Sequence, residues 1–169
     1  MDAENLRSLQ APLKERYRGA PEEALVTLRA EGALDSDQVI CRVETGRALV
    51  EAGLHPATGG DGLAACSGDM LLQALVACAG VTMRAVATAL EIPLKGGRVS
   101  AEGDLDFRGT LAVDRDAPVG FSAIRLRFEL DSDATPEQTA TLLRLTERYC
   151  VVLQTLLGAP AISVHPAAI

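Results

Sequence analysis

The stretch SGDMLLQALVACAGVTMRAVATALE, residues 67–91, decides the fold. Between Asp69 and Arg84 it carries no charge, and apolar side chains fall on nearly every face, the mark of a helix placed centrally rather than on the surface. Ser67 reads as its N-cap, and Asp69 in the first turn suits the positive end of the helix dipole. Pro93 and the Gly96-Gly97 pair stop it near Glu91. The uncharged run from Met70 to Met83 falls short of the roughly 20 residues that cross a bilayer, so the expectation is a buried helix and no membrane partner.

On the C-terminal side the period changes. Val99, Ala101, Leu105, Phe107, Leu111 and Val113 take odd positions, while Arg98, Ser100, Glu102, Asp104, Asp106 and Arg108 take even ones. That alternation predicts a strand over 98–113 with one face buried and one wet. After the turn DRDAPVG the pattern resumes, with Ile124, Leu126, Phe128 and Leu130 inward, which makes an antiparallel hairpin. Thr135-Pro136-Glu137-Gln138 is a capping box with proline at the first helical position. The helix it opens is predicted to run to Gly158-Ala159-Pro160, and a short strand at 161–164 completes the chain.

On the N-terminal side, alternation from Ala24 to Glu31, again at Val39, Cys41 and Val43, and a run at Ala48-Leu49-Val50 predict three strands. The segment HPATGGDGLAACSG, residues 55–68, reads as a small-residue loop. Residues 1–20 have helical composition interrupted at Pro12 and are set off by Gly19 and Pro21. They are expected to form a helical arm, with residues 21–169 as the single domain. Strands and helices fall in blocks, which predicts an α+β fold with a mainly antiparallel sheet packed on two long helices.

Composition narrows the chemistry. With 169 residues, 48% of them hydrophobic, the chain suffices for one well-buried domain. A net charge of -7, no Trp and few other aromatics argue against nucleic-acid binding, which needs clustered cations and stacking platforms. The four cysteines form no CxxC and stand beside only two histidines, so neither a structural metal nor a cofactor site is expected. The opening MDAENLRSLQAPLKERYR lacks the apolar core of an export signal, giving a cytoplasmic expectation with reduced thiols.

Cys78 and Cys150 each lie within a predicted long helix. If the helices cross at the small residues Ala74, Ala77, Ala79 and Gly80, the thiols can meet, although a cysteine among Ala and Leu serves equally as a small hydrophobe. SGDMLLQALVACAGVTMRAVA and ERYCVVLQTLL resemble the two signature helices of the OsmC/Ohr family of thiol-dependent hydroperoxide reductases. The resemblance extends from about Ala24 to the C-terminus and includes the order of elements. It implies an intertwined homodimer in which Cys78 is peroxidatic and Cys150 resolving, acting on organic hydroperoxides in oxidative-stress defence. An external thiol or lipoylated protein would be the reductant.

Two departures accompany the resemblance. Where the family has Pro-Glu ahead of the first cysteine, this chain has Ser67-Gly68, with Asp69 next; where the family has Pro after the second, it has Val151. Cys78 also lies more than two turns inside its helix, beyond the useful reach of that helix's dipole. An activating cation is therefore sought among Arg47, Arg84 and Arg148. The alternative reading is a dimeric module that binds a small hydrophobic ligand and whose cysteines are not catalytic. The other polar features have plain readings: His55 as a solvated loop residue or one that lines the site, Cys66 as a loop filler or a second resolving thiol, Cys41 as core, and Glu102, Asp104 and Asp106 as a solvated face. Gly59-Gly60-Asp61-Gly62 lacks the order and the lysine of a phosphate loop.

Overall fold

The computed structural model describes residues 3–34, 41–43, 52–63 and 65–165. Helix α1, Ala3–Gly19, continues through Pro12 and leads by a 3-10 turn, Pro21–Ala24, into strand β1, Leu25–Leu34. Strands β2, Cys41–Val43, β3, Ala52–Gly53, and β4, Ala65–Cys66, precede helix α2, Ser67–Ala89. Strand β5, Leu94–Asp106, short helix α3, Phe107–Thr110, and strand β6, Ala123–Ser132, come next, followed by helices α4, Pro136–Tyr149, and α5, Val151–Gly158.

One antiparallel sheet has the order β2-β1-β5-β6, and β3 pairs with β4 in a separate parallel pair. The hairpin predicted from alternation is present, with Val99 opposite Phe128 and Ala101 opposite Leu126. At Gly97 φ is +154°, and a Cβ there would lie 2.4 Å from the Glu129 carbonyl oxygen, so the register next to the Leu94/Gly96 bulge requires glycine.

Helix α2 packs against this sheet and against α4 and α5. Its buried residues, Leu72, Leu75, Val76, Ala79, Met83 and Ala87, follow the 3.6-residue period and join the core with Val99, Ala101, Leu105 and Leu142. By length and hydropathy alone α2 would pass as a membrane span; here it is the core helix of an α+β fold. Its apolar residues are not all covered, however: Met70, Leu71 and Val81 remain exposed.

Three local expectations need correction. The strand predicted to Val113 ends at Asp106, whose carboxylate caps α3 by accepting from the Arg108 amide at 3.0 Å; Phe107 and Leu111 stay buried on a helical turn, which mimics strand alternation over so short a span. The helix predicted from Thr135 to Gly158 breaks at Cys150. The tail at 161–164 forms no strand, because no described strand pairs with it, and Ile162 and Val164 are 84% and 89% exposed.

Two smaller differences lie near α2. Its N-cap is Cys66, with Ser67 already helical, and the predicted 55–68 loop contains both β4 and a 3-10 turn at Pro56–Thr58. The run Ala48–Val50 and the Cys41 side chain lie outside what is described. Tyr17 of α1 is fully buried, and its hydroxyl donates to the Ala57 carbonyl at 2.7 Å, which ties the arm to the turn ahead of α2. Burial of this ring, worth about 2–3 kcal/mol, offsets the hydrogen bond that Pro12 removes from the helix.

Candidate active site

The break at Cys150 organises the site. Thr135 and Gln138 complete the capping box that starts α4, and the helix ends at Tyr149. Cys150 is extended, with φ -71° and ψ 105°, and serves as C-cap of α4 and N-cap of α5. Its amide still donates to the Thr146 carbonyl at 2.9 Å, and its carbonyl accepts from the Gln154 amide at 2.9 Å, so α5 restarts at once in a new direction. The β-branched pair Val151-Val152 lowers helix propensity at this point.

The restart packs α5 against α2, the helix that carries Cys78. The groups that favour ionisation of the Cys78 thiol are the Val152 amide, the Cys150 thiol, the Thr82 hydroxyl one turn along its own helix and the Val151 amide. Burial opposes its ionisation, but these donors together hold the Cys78 thiol below the usual cysteine range. Cys150 is fully buried. Burial, with the proton it shares toward Cys78, pushes its own thiol up to about 11, despite donation from the Leu153 and Val152 amides. The pair is therefore polarised, with the partly exposed Cys78 thiol held below its ordinary value and the enclosed Cys150 thiol raised above it.

Two of the predicted cations are engaged elsewhere. Arg84 is buried and donates to the Leu94 carbonyl, and Arg148 lies over the Tyr149 ring at 5.4 Å. Arg47 lies outside the described residues. Sequence reasoning missed Thr82, which its i, i+4 spacing from Cys78 signalled, and missed the α5 amides, which no local pattern signals.

An apolar cavity of about 300 Å³ is lined by Leu75, Ile124, Leu126, Leu153 and Leu156. Leu75 precedes Cys78 by one turn of α2, and Leu153 follows Val152. A second cavity, of about 410 Å³, is lined by His55, Cys66, Leu71, Phe107 and Phe121. There His55 stacks on Phe107 with centroids 5.0 Å apart and accepts the Ala57 amide at Nδ1, so it is packed rather than freely solvated. Burial lowers its pKa, while Asp69 pulls the other way. Cys66 is not among the groups that act on Cys78.

The expected solvated acidic face is also structured. Asp104 accepts from Arg125 and Thr27, and Asp106, only 5% exposed, is gripped by Arg108. Among the described residues no cluster of His, Cys, Asp or Glu is arranged to hold a metal ion.

With this geometry in view, comparison with known proteins is specific. The family of OsmC-like proteins matches residues 59–165, which include Cys78, Cys150 and both helices that carry the donors. The chain belongs to the OsmC-like family. A crystal structure of an OsmC-like hydroperoxide resistance protein from Jannaschia sp. CCS1 superposes with a TM-score of 0.58. The alignment covers 86% of this chain and 95% of that one at 19% identity, so it shows a shared OsmC-like fold. Among curated proteins none matches the chain in sequence.

Proposed function

We propose that this OsmC-like protein is a thiol-dependent peroxidase that reduces organic hydroperoxides in defence against oxidative stress. What supports the reading is the polarised pair, in which the Cys78 thiol is lowered and the neighbouring Cys150 thiol is raised. The Cys78 thiolate attacks the terminal peroxide oxygen; an S–O bond forms, the O–O bond breaks, and the alkoxide takes a proton and leaves as alcohol. Cys150 then attacks the sulfenic sulfur. An S–S bond forms and the S–O bond breaks, the departing hydroxide and the Cys150 proton leaving as water. An external thiol or lipoylated protein restores both thiols by exchange. The apolar cavity beside Leu75 and Leu153 supports a hydrophobic, lipid-type hydroperoxide as substrate.

Residues left uncovered, Met70, Leu71 and Val81 on α2 with Val151 and Leu157 on α5, support a homodimer that buries them. A cytoplasmic location fits a cysteine pair that must return to the reduced state.

The test is treatment of the reduced protein with one equivalent of an organic hydroperoxide, followed by disulfide mapping. A Cys78–Cys150 bridge that forms rapidly and is abolished by Cys78→Ser supports the peroxidase. The cavity around His55 and Phe107 favours a second reading, a non-catalytic module for a small hydrophobic ligand. That reading gains if both thiols stay reduced while the peroxide persists.

A further inference from the structure

We infer that the cavity between the turn ahead of α2 and helix α3 is a second small-molecule site, one that takes a neutral apolar carbonyl compound and holds its oxygen on Nε2 of His55. The inference rests on the reading of this cavity as a place for a small hydrophobic ligand, and it needs nothing of the Cys78–Cys150 pair.

At about 410 Å³ the cavity has the volume of an ordinary ligand pocket, and Leu71, Leu105, Phe107 and Phe121 make its walls apolar. His55 is held rigidly among them. Its ring stacks on Phe107, and its Nδ1 accepts the Ala57 amide at 3.0 Å. Its carbonyl accepts from the Thr58 amide at 2.8 Å and from the Thr58 hydroxyl at 2.9 Å, and Ala57 is itself tied to the Tyr17 hydroxyl. Burial favours the neutral ring. A neutral imidazole whose Nδ1 accepts carries its proton on Nε2, and no described residue accepts that proton. One ring face and one nitrogen are thus engaged by the protein, and the remaining N–H is a donor left for a ligand.

Charge around the cavity selects the ligand. Asp69 follows the lining residue Gly68 in the first turn of α2, in a chain of net charge -7, so an anionic ligand would meet repulsion there. A hydrocarbon would leave the Nε2–H desolvated and unpaired. An aldehyde, ketone or ester oxygen meets both conditions, because it accepts a hydrogen bond and carries no charge. Since the His55 ring is already fixed, binding costs little further ordering. Cys66, partly exposed in the same lining, is a thiol that such a ligand would shield.

The experiment uses wild type and His55→Phe with two probes of nearly equal shape, acetophenone and its methylidene analogue α-methylstyrene, in the absence of peroxide. Protection of Cys66 from iodoacetamide, mapped by mass spectrometry over a range of probe concentrations, gives the affinity for each. In wild type the ketone is expected to protect Cys66 at about fivefold lower concentration than the alkene, the effect of one hydrogen bond. His55→Phe keeps a ring to stack on Phe107 and is expected to erase that difference. Equal or weaker protection by the ketone in wild type overturns the carbonyl assignment and leaves the cavity a purely hydrophobic site. A preference for the ketone that survives in folded His55→Phe overturns the role of Nε2. Protection of Cys78 in place of Cys66 overturns the site, and failure of both probes to protect Cys66 overturns the site together with the reading of the cavity it rests on. Should His55→Phe fail to fold, the two probes on wild type decide alone.

Discussion

Cys78 and Cys150 are driven apart in acidity by burial and by their interaction with each other, which lowers the first thiol and raises the second. Burial is the largest influence on both. It prevails at Cys150, whereas at Cys78 the donors from Val152, Cys150, Thr82 and Val151 overcome it. Local chemistry thus divides the labour between two identical side chains.

The first prediction concerns pH. Only thiolates alkylate at useful rates, so the Cys78 profile is expected to rise with a midpoint below that of an ordinary cysteine. Cys150 is expected to stay unreactive until pH approaches about 11. Iodoacetamide labelling across pH 6–11, with peptide mapping, checks the order; Cys150 labelling ahead of Cys78 contradicts it.

Thr82→Val keeps the shape of the side chain and removes its hydroxyl from the Cys78 sulfur. The expected result is a raised Cys78 midpoint and a several-fold slower reaction at neutral pH, by the loss of about 1 kcal/mol of hydrogen bonding. Stopped-flow alkylation of the variant measures it.

Thr146 lies on α4 with a buried hydroxyl that has no hydrogen-bond partner among the described residues. An orphan polar group costs about 1–3 kcal/mol of desolvation, so Thr146→Val is expected to stabilise the fold by about 1 kcal/mol. Urea titration at constant m-value decides, and a destabilised variant refutes the account.

Acid sensitivity follows from the paired carboxylates. Hydrogen bonding from Arg125 holds Asp104 down at about 2, and the Arg108 side chain lowers Asp106. A carboxylate depressed by folding contributes stability above its unfolded pKa, near 4, and that contribution is lost as pH falls through the folded value. Arg125→Gln is accordingly expected to unfold at a higher pH than wild type when acid titration is followed by circular dichroism. Coincident acid transitions contradict the pairing.

Tyr17→Phe deletes the donor to the Ala57 carbonyl while keeping the ring in the core, at an expected cost of about 1–2 kcal/mol; Tyr17→Ala is expected to cost about 3–5 kcal/mol. Chemical denaturation of both variants tests whether α1 is part of the cooperative unit.

The sequence by itself determined the elements whose side-chain period is internal to them. The long apolar helix α2, the hairpin with Val99 and Ala101 facing inward, and the Thr135 capping box were all legible there, because each depends on neighbours a few residues away. Tertiary structure decided what depends on contacts through space. It ended β5 at Asp106, where Arg108 offers a partner, and left the tail around Ile162 without a strand to join. Above all it broke the last helix at Cys150 and packed the restarted α5 against α2, where the Val152 and Val151 amides lower the Cys78 thiol. Cys78 is too far inside α2 to use that helix's own dipole, so a second helix supplies the donors, and periodicity within either helix carries no record of that meeting.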